Sequence, residues 1–116
     1  MVIDDEKSIV GSMVYYFSKK GYDVEGFTSP EDAITAMAQN GFGIIITDLH
    51  MEPISGFEII NIARKNSPKS LLIAMSGKYT RQDIEGLDID YFFEKPFLFK
   101  DLERVIEDYI SSKKSY

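Results

Sequence analysis

Two short, entirely apolar runs constrain the fold of this chain more than any other feature. They are "III", residues 44–46, and "LLIAM", residues 71–75. A strand with one face in water alternates apolar and polar residues, and neither run alternates, so each is typical of a strand buried on both faces. Such strands occur in parallel sheets whose crossover helices cover both faces. The two runs therefore predict an α/β fold.

The segments around these runs supply the other elements. Residues 6–20 place apolar side chains on one helical face and are followed by Gly21, which predicts a first helix. "SPEDAITAMAQNG" begins with Ser29 as a helix N-cap and Pro30 in the first turn, which predicts a second. The remaining predicted elements are helices over 57–66 and around 102–110, at most a short helix over 80–85, and strands at "MVI", "YDVEGF" and "YFF".

Five strands with helical crossovers leave few topologies, because such crossovers are right-handed. The common doubly wound order for this count is 2-1-3-4-5, so we predict a five-stranded parallel sheet in a flavodoxin-like (βα)5 arrangement. A chain of 116 residues can build one core but not two, so residues 1–116 are expected to form a single domain. The first strand is expected to be short because the chain begins inside it, and the tail "SSKKSY" is expected to fray.

The composition excludes several classes of function. A net charge of -6 with scattered basic residues argues against direct binding of nucleic acid, which needs clustered Lys and Arg. No apolar run approaches the ~20 residues that are needed to span a membrane. The absence of cysteine excludes disulfides and thiol chemistry, and it is compatible with a cytoplasmic location.

Polar residues follow four of the five predicted strands. Asp4 and Asp5 follow the first strand, Asp48 the third, Ser76 the fourth and Lys95 the fifth. Each of them alone is more often a helix cap, a turn residue or a solvated charge. Together they occupy the carboxyl ends of the strands, where doubly wound sheets bind ligands next to the reversal of strand order. The pattern therefore predicts one site built from these five residues.

Three carboxylates in that site predict a metal ion. Asp4, Asp5 and Asp48 cannot all stay ionised close together without help, because like charges raise one another's pKa. A hard divalent cation is the simplest remedy, and oxygen-only ligands favour Mg²⁺ over zinc. Asp48 is then placed to be both a metal ligand and a nucleophile that forms an acyl phosphate. Lys95 would add a point charge, and the Ser76 hydroxyl would donate to a phosphoryl oxygen.

The chain resembles the receiver domains of bacterial two-component response regulators (CheY-like) over nearly all of its length. The matching pieces are "VIDDE", "IIITDLHM" followed by "GFEII", "IAMSGK" and "FFEKPF". The resemblance implies that Asp48 is the phosphate acceptor, loaded from a phosphohistidine on a sensor histidine kinase or a histidine phosphotransfer protein. It also implies that Mg²⁺ is bound directly by Asp5, Asp48 and the backbone carbonyl of His50, with Asp4 acting through water.

The resemblance also implies a switch. Ser76 and Lys95 take the family's hydroxyl and lysine positions, and the Lys95–Pro96 peptide bond is expected to be cis. Phosphorylation draws the hydroxyl towards the phosphoryl group, and an aromatic residue, here Phe92, rotates inward near the fourth helix, fifth strand and last helix. Phe92 has no hydroxyl to hold it at the surface, so we expect it to lie inward before phosphorylation. A dimer that forms on phosphorylation is one output that we consider.

Two side chains flank the predicted phosphoryl site. His50 and Lys78 each lie two residues beyond a site residue, where a side chain can position or exclude the hydrolytic water. A cation at Lys78 would screen the phosphate and lengthen its lifetime, and His50 is better explained as a loop residue than as a phosphohistidine.

The sequence departs from the family pattern in two places. "MEPISG" places Glu52 before Pro53, so the backbone of the loop after Asp48 is expected to differ. The stretch from Ser76 to Lys95 is shorter than is usual in the family and contains "GLDID", so the fourth helix is expected to be short or irregular.

Three other functions fit the sequence less well. A pseudo-receiver would share the fold but act only through protein interaction; the complete set of five polar residues argues against it, and the altered fourth helix favours it. A Mg²⁺-dependent phosphohydrolase with an aspartyl nucleophile would carry Asp-x-Asp after the first strand and a cap domain. A flavodoxin-like cofactor binder would place a phosphate-binding loop where the acidic "DDEKS" stands.

Overall fold

The computed structural model describes residues 1–113, and its sheet has the predicted strand order. The strands are Val2–Ile3 (β1), Gly26–Phe27 (β2), Ile44–Asp48 (β3), Leu71–Ser76 (β4) and Tyr91–Glu94 (β5). All neighbours are parallel, in the order β2-β1-β3-β4-β5. The two apolar runs of the sequence become β3 and β4, and every residue of β4 is buried.

Four helices connect or follow these strands. They are Lys7–Lys19 (α1), Pro30–Gln39 (α2), Gly56–Asn66 (α3) and Phe99–Lys113 (α4). The first N–H groups of a helix have no partner within it, so polar side chains often accept from them. Ser29 accepts from the N–H of Asp32 at 3.3 Å in α2, and Ser55 accepts from the N–H of Glu58 at 3.4 Å in α3. No helix within residues 1–113 is long and apolar enough to cross a membrane.

The sheet separates two apolar clusters. One face carries α2 and α3, and its buried side chains include Ile59 and Leu72. The opposite face carries α1 and α4, and its buried side chains include Met13 and Leu102. Each such side chain stabilises the fold by about 1.5–3 kcal/mol when it is fully buried. The sheet is therefore held from both sides, and its strand ends remain open for a site.

The connection between β4 and β5 contains no regular helix. Residues 81–86 form successive turns. Asp83 accepts from the N–H of Thr80 at 2.9 Å and donates its own N–H to the Thr80 hydroxyl at 3.4 Å, as at the start of a helix. Gly86, with a φ of 89°, then ends the turns. A segment this short makes too few helical hydrogen bonds to offset the cost of nucleating a helix.

Arg64 of α3 holds the end of this connection. Its guanidinium donates to the carbonyl oxygens of Ser70 and Asp88 at 3.3 Å each, and it lies 3.3 Å from the carboxylate of Asp90. The same carboxylate accepts from the N–H of Leu72 at 2.8 Å. These contacts fix the chain entering β5 against the start of β4 without a helix.

The predicted fold is confirmed, with differences at the ends of elements. The short or irregular fourth helix of the prediction is the run of turns at 81–86, so the described residues contain four regular helices. β2 is shorter than the predicted 22–27 because β1 offers only Val2 and Ile3 for pairing. The tail that was expected to fray is helical up to Lys113, and the rest of it lies outside the described residues.

Candidate functional site

Four strand ends bring predicted polar residues together at one edge of the sheet. Asp4 follows β1, Asp48 ends β3, Ser76 ends β4, and Lys95 follows β5. Because all strands are parallel, their carboxyl ends meet at the same edge. Met75, the residue before Ser76, pairs with Asp48 in the sheet, so Ser76 and Asp48 lie on adjacent strands.

Lys95 lies between two of these carboxylates. Its ammonium is 2.7 Å from Asp4 Oδ2 and 3.1 Å from Asp48 Oδ1. The other oxygen of Asp4 accepts from the backbone N–H of Glu6 at 3.0 Å, so both of its oxygens have protein partners. Asp4 is fully buried and Asp48 is 4% exposed. The ammonium therefore compensates charges that water solvates poorly.

The carboxylates of Asp4, Asp5 and Asp48 form an acidic cluster. Each offers one oxygen, and these oxygens lie within 4.8 Å of one another. Lys95 supplies one positive charge against three carboxylates, so the cluster keeps an excess of negative charge when all are ionised. Asp5 is exposed, which leaves the cluster open to water. An oxygen-only donor set that is open to water fits Mg²⁺, which keeps several water ligands, and does not fit zinc.

The surroundings of Asp48 and Lys95 raise the pKa of both groups. Burial raises the pKa of Asp48, the nearby charge of Asp4 raises it further, and Lys95 offsets only part of this. Burial alone would lower the pKa of Lys95, but hydrogen bonds to Asp4 and Asp48 outweigh it and raise the pKa. The lysine therefore stays charged, and Asp48 carries its negative charge at a cost to the folded state.

This cost predicts a pH-dependent effect of the D48N variant. A raised folded-state pKa means that the Asp48 carboxyl stabilises the fold below its ordinary pKa of 3.8 and loses that contribution as pH rises through its folded-state pKa. With divalent metals chelated, we expect D48N to gain stability relative to the wild type as pH rises above 3.8. Urea unfolding of both proteins at a series of pH values measures this difference. Parallel pH profiles would contradict the expectation.

The hydroxyl of Ser76 is tied to the loop that follows it. Ser76 Oγ accepts from the N–H groups of Lys78 and Tyr79 at 2.9 and 2.8 Å. Its own proton remains available for donation to a third group. The Tyr79 ring packs edge-on against Phe57 of α3, with ring centroids 5.2 Å apart. A displacement of Ser76 must therefore break these two bonds or carry the loop with it.

The other three predicted residues lie in different surroundings. Phe92 is 4% exposed and packs within the cluster on the α2–α3 face. His50 is exposed in the loop after β3. Lys78 is exposed, and its ammonium lies 5.5 Å from the centre of the Tyr79 ring. The roles assigned to these side chains remain predictions.

Two loops near the site contain cis peptide bonds. Lys95–Pro96 is cis, as expected, and Glu52–Pro53 is also cis. The second bond lies in the loop whose backbone was expected to depart from the family pattern.

Two residues next to the site were not predicted. Gly56 begins α3 against the end of β3, where a Cβ atom would lie 2.6 Å from Leu49 Cα. Arg81 contacts Phe92 from the turns between β4 and β5. A glycine after a helix-capping serine carries no sequence signal for such a close approach. For Arg81, the capping pair Thr80 and Asp83 does indicate a first-turn position, but not its contact.

Known proteins match this chain in sequence and in fold. A family model described as the response regulator receiver domain matches residues 1–107. The chain belongs to the response regulator receiver domain family. Response regulator SaeR of Staphylococcus aureus (strain USA300) is 28% identical over 119 aligned residues, which cover 100% of this receiver domain and 52% of SaeR. The receiver domain thus spans about half the length of the curated relatives that it matches.

Solved structures show the same fold. A CheY-like response regulator receiver domain protein from Methanospirillum hungatei JF-1 superposes with a TM-score of 0.89 at 20% identity, covering 97% of this receiver domain and 93% of that chain. Response regulator protein TrrA from Thermotoga maritima, in complex with Mg²⁺ and beryllofluoride, superposes with a TM-score of 0.82 at 25% identity, covering 92% and 94%.

Proposed function

We propose that residues 1–116 form one receiver domain that accepts a phosphoryl group on Asp48 in a two-component phosphorelay. The observation that carries this proposal is the position of Asp48 at the end of β3, beside Asp4 and 3.1 Å from the ammonium of Lys95. A carboxylate in these surroundings is partly desolvated, and a cation lies next to the position that a phosphoryl group would occupy. The protein would act as a signalling phosphoacceptor, not as an enzyme with a separate substrate.

The phosphoryl transfer uses side chains that are already in place. An oxygen of Asp48 attacks the phosphorus of a phosphohistidine, the P–N bond breaks as the P–O bond forms, and an acyl phosphate results. Lys95 keeps its ion pair with the buried Asp4 and offers its charge to the phosphoryl oxygens. The Ser76 hydroxyl, whose proton is free to donate, supplies a further hydrogen bond.

Asp5, Asp48 and the backbone carbonyl of His50 would hold a Mg²⁺ ion, with Asp4 acting through water. Bound there, the ion supplies positive charge that neutralises the acidic cluster and the phosphoryl oxygens. The two oxygens of Asp4 are already engaged by Lys95 and Glu6, which supports an indirect role for this residue. The exposed Asp5 is free to turn towards an ion.

The switch would run from Ser76 to Phe92. Because Ser76 Oγ accepts from two N–H groups of the next loop, its move towards a phosphoryl group would displace that loop. Phe92 is already buried, so the response would consist of repacking around this ring and not of a large rotation from the surface. The turns at 81–86 then replace the fourth helix as the segment that changes.

The partners follow from the same chemistry. The phosphodonor would be a sensor histidine kinase or a histidine phosphotransfer protein in the cytoplasm. The output would lie in an effector domain or protein, or in a dimer that forms on phosphorylation. The net charge of -6 supports the proposal that this domain does not itself bind nucleic acid.

Phosphorylation with a small donor tests the proposed function. We expect phosphoramidate with Mg²⁺ to increase the intact mass by one phosphoryl group, and we expect no increase for D48N or without divalent metal. D108N is the matched control, because Asp108 is an exposed aspartate on α4. The proposal would be contradicted if the wild type is not phosphorylated, or if D48N is phosphorylated as readily as the wild type.

A pseudo-receiver is the second candidate, and the irregular connection between β4 and β5 is the observation that favours it. A pseudo-receiver would fold and bind its partner equally well as the wild type and as the D48N variant. Absence of the mass increase, together with partner binding that D48N leaves unchanged, would select this function.

A charge reversal at Lys78 tests the proposed effect on phosphoryl lifetime. Lys78 is exposed two residues beyond Ser76, so its charge would screen the phosphate only weakly. We expect K78E to shorten the phosphoryl half-life about two- to fourfold, which is the size of effect for an exposed charge. Dephosphorylation followed by mass spectrometry measures the half-life. K69E is the control, because Lys69 is an exposed lysine just before β4, at the opposite end of that strand from Ser76. Equal half-lives for K78E and the wild type would contradict the proposed effect of Lys78.

A further inference from the structure

Arg81 makes three contacts with β5 although it is exposed in a segment without regular secondary structure. Its guanidinium donates to the main-chain carbonyl of Phe92 at 3.2 Å. The same group lies 5.8 Å from the centre of the Phe92 ring, within the range of a cation–π interaction. Its backbone N–H donates to Glu94 Oε1 at 3.2 Å. One residue thus attaches the turns to both the backbone and the ring of Phe92.

The other end of this segment is attached to Ser76. Ser76 Oγ accepts from the N–H of Tyr79, two residues before Arg81. Between these attachments the backbone has little freedom, since Thr80 and Asp83 close a capped turn around Arg81. A continuous series of contacts therefore links the Ser76 hydroxyl to the Phe92 ring through a few residues of chain.

Phe92 borders a groove on the side that a fourth helix would cover. Ile84, on the same turns, is 8% exposed and packs in the same cluster as Phe92. Next to them is an open groove of about 590 Å³, with Arg81 in its wall. Because Arg81, Ile84 and Phe92 all line this groove, a displacement of the turns would change the packing around the Phe92 ring.

We infer that Arg81 is a positioning residue that couples the displacement of Ser76 to the position of Phe92. The inference rests on the proposed phosphorylation of Asp48. When Ser76 Oγ turns to the phosphoryl group, Tyr79 and the capped turn move. The contacts of Arg81 with the carbonyl and the ring of Phe92 then change. Without the guanidinium, the turns at 81–86 would still move with Ser76, but the Phe92 ring would not follow them. Arg81 does not touch the acidic cluster, so phosphorylation itself does not require it.

The experiment is amide hydrogen exchange of the wild type and R81A, each with and without beryllofluoride and Mg²⁺. Without beryllofluoride, we expect residues 79–87 of R81A to exchange about tenfold faster, the effect of losing one cation–π contact and one charged hydrogen bond. With beryllofluoride, exchange in residues 91–94 should change in the wild type and stay unchanged in R81A. A merely structural role would predict the same response to beryllofluoride in both proteins, and that result would overturn the inference.

Two controls distinguish failure of the inference about Arg81 from failure of the proposed function. R104A removes an exposed arginine from α4 and should behave as the wild type. Exchange in residues 48–56 reports beryllofluoride binding itself and should change in the wild type, R81A and R104A alike. No change there in the wild type means that the proposed function fails and the inference with it. If exchange in residues 48–56 changes in the wild type and in R81A, and residues 91–94 of R81A still respond to beryllofluoride, the inference is refuted while the proposed function stands. If R81A is globally unstable, R81Q, which keeps a donor but no charge, replaces it.

Discussion

Replacement of Lys95 by methionine is expected to lower the free energy of unfolding by about 3 kcal/mol in the absence of divalent metal. Methionine keeps most of the side-chain volume but removes the charge that lies 2.7 Å from Asp4 and 3.1 Å from Asp48. Asp4 is fully buried and would lose its ion pair while its Oδ1 still accepts from Glu6. A buried carboxylate without a compensating charge destabilises the fold, because water does not solvate it.

Urea unfolding at neutral pH with a chelator measures this loss, and two comparisons define its origin. K100M removes an exposed lysine from the start of α4 and should cost little. Lowering the pH should recover part of the stability of K95M, because the pKa of Asp48 is raised and its protonation removes one of the unpaired charges. Addition of Mg²⁺ should also recover part of it. A K95M protein as stable as K100M at neutral pH would show that the ion pairs contribute no net stability.

Replacement of Gly56 by alanine is expected to destabilise the fold by about 2–3 kcal/mol and to weaken Mg²⁺ binding at the acidic cluster. The new Cβ would lie 2.6 Å from Leu49 Cα and closer still to the carbonyl of Asp48. Both neighbours are backbone atoms, so no side chain can turn away to make room. Either α3 moves outward, or the loop after β3 shifts together with the backbone of His50.

The matched control for G56A is G11A. Gly11 is an exposed glycine inside α1, and a Cβ added there meets no atom within 4 Å. Alanine at that position should stabilise the protein by about 0.5–1 kcal/mol, because it lowers the entropic cost of the helix. The two glycine-to-alanine changes should therefore have opposite signs in urea unfolding. A neutral G56A variant with unchanged Mg²⁺ affinity would mean that the close approach of α3 to β3 relaxes without cost.

Most of the fold was predictable because its signals are local. The apolar runs of β3 and β4 indicate burial on both faces, and Ser29 with Pro30 indicates the start of α2. A short or irregular fourth helix was predicted because the stretch from Ser76 to Lys95 is shorter than is usual in the family. The short β2 was not foreseen, because its length depends on how many residues β1 offers for pairing.

In the candidate site, the residues could be predicted from the sequence but their contacts could not. Asp4, Asp48, Ser76 and Lys95 could be named from sequence because each lies at a strand end, and parallel strands place those ends at one edge. Their contacts could not be named. Lys95 pairs with Asp4 across 91 positions of the chain, and the sequence does not indicate which carboxylate oxygen receives the ammonium.

The amino-acid sequence by itself thus determined most helices and strands, because apolar periodicity and capping residues act over a few neighbouring residues. The strand order and the set of polar residues at the sheet edge followed from general rules for parallel sheets. The short or irregular fourth helix followed from comparison with the usual length of that stretch in the family. Only the tertiary structure decided that Ser76 binds its own loop, that α3 presses against β3 at Gly56, and that Arg81 contacts Phe92. Those contacts depend on distances of a few ångströms between separately folded segments, and such distances are set by packing of the whole sheet and its helices.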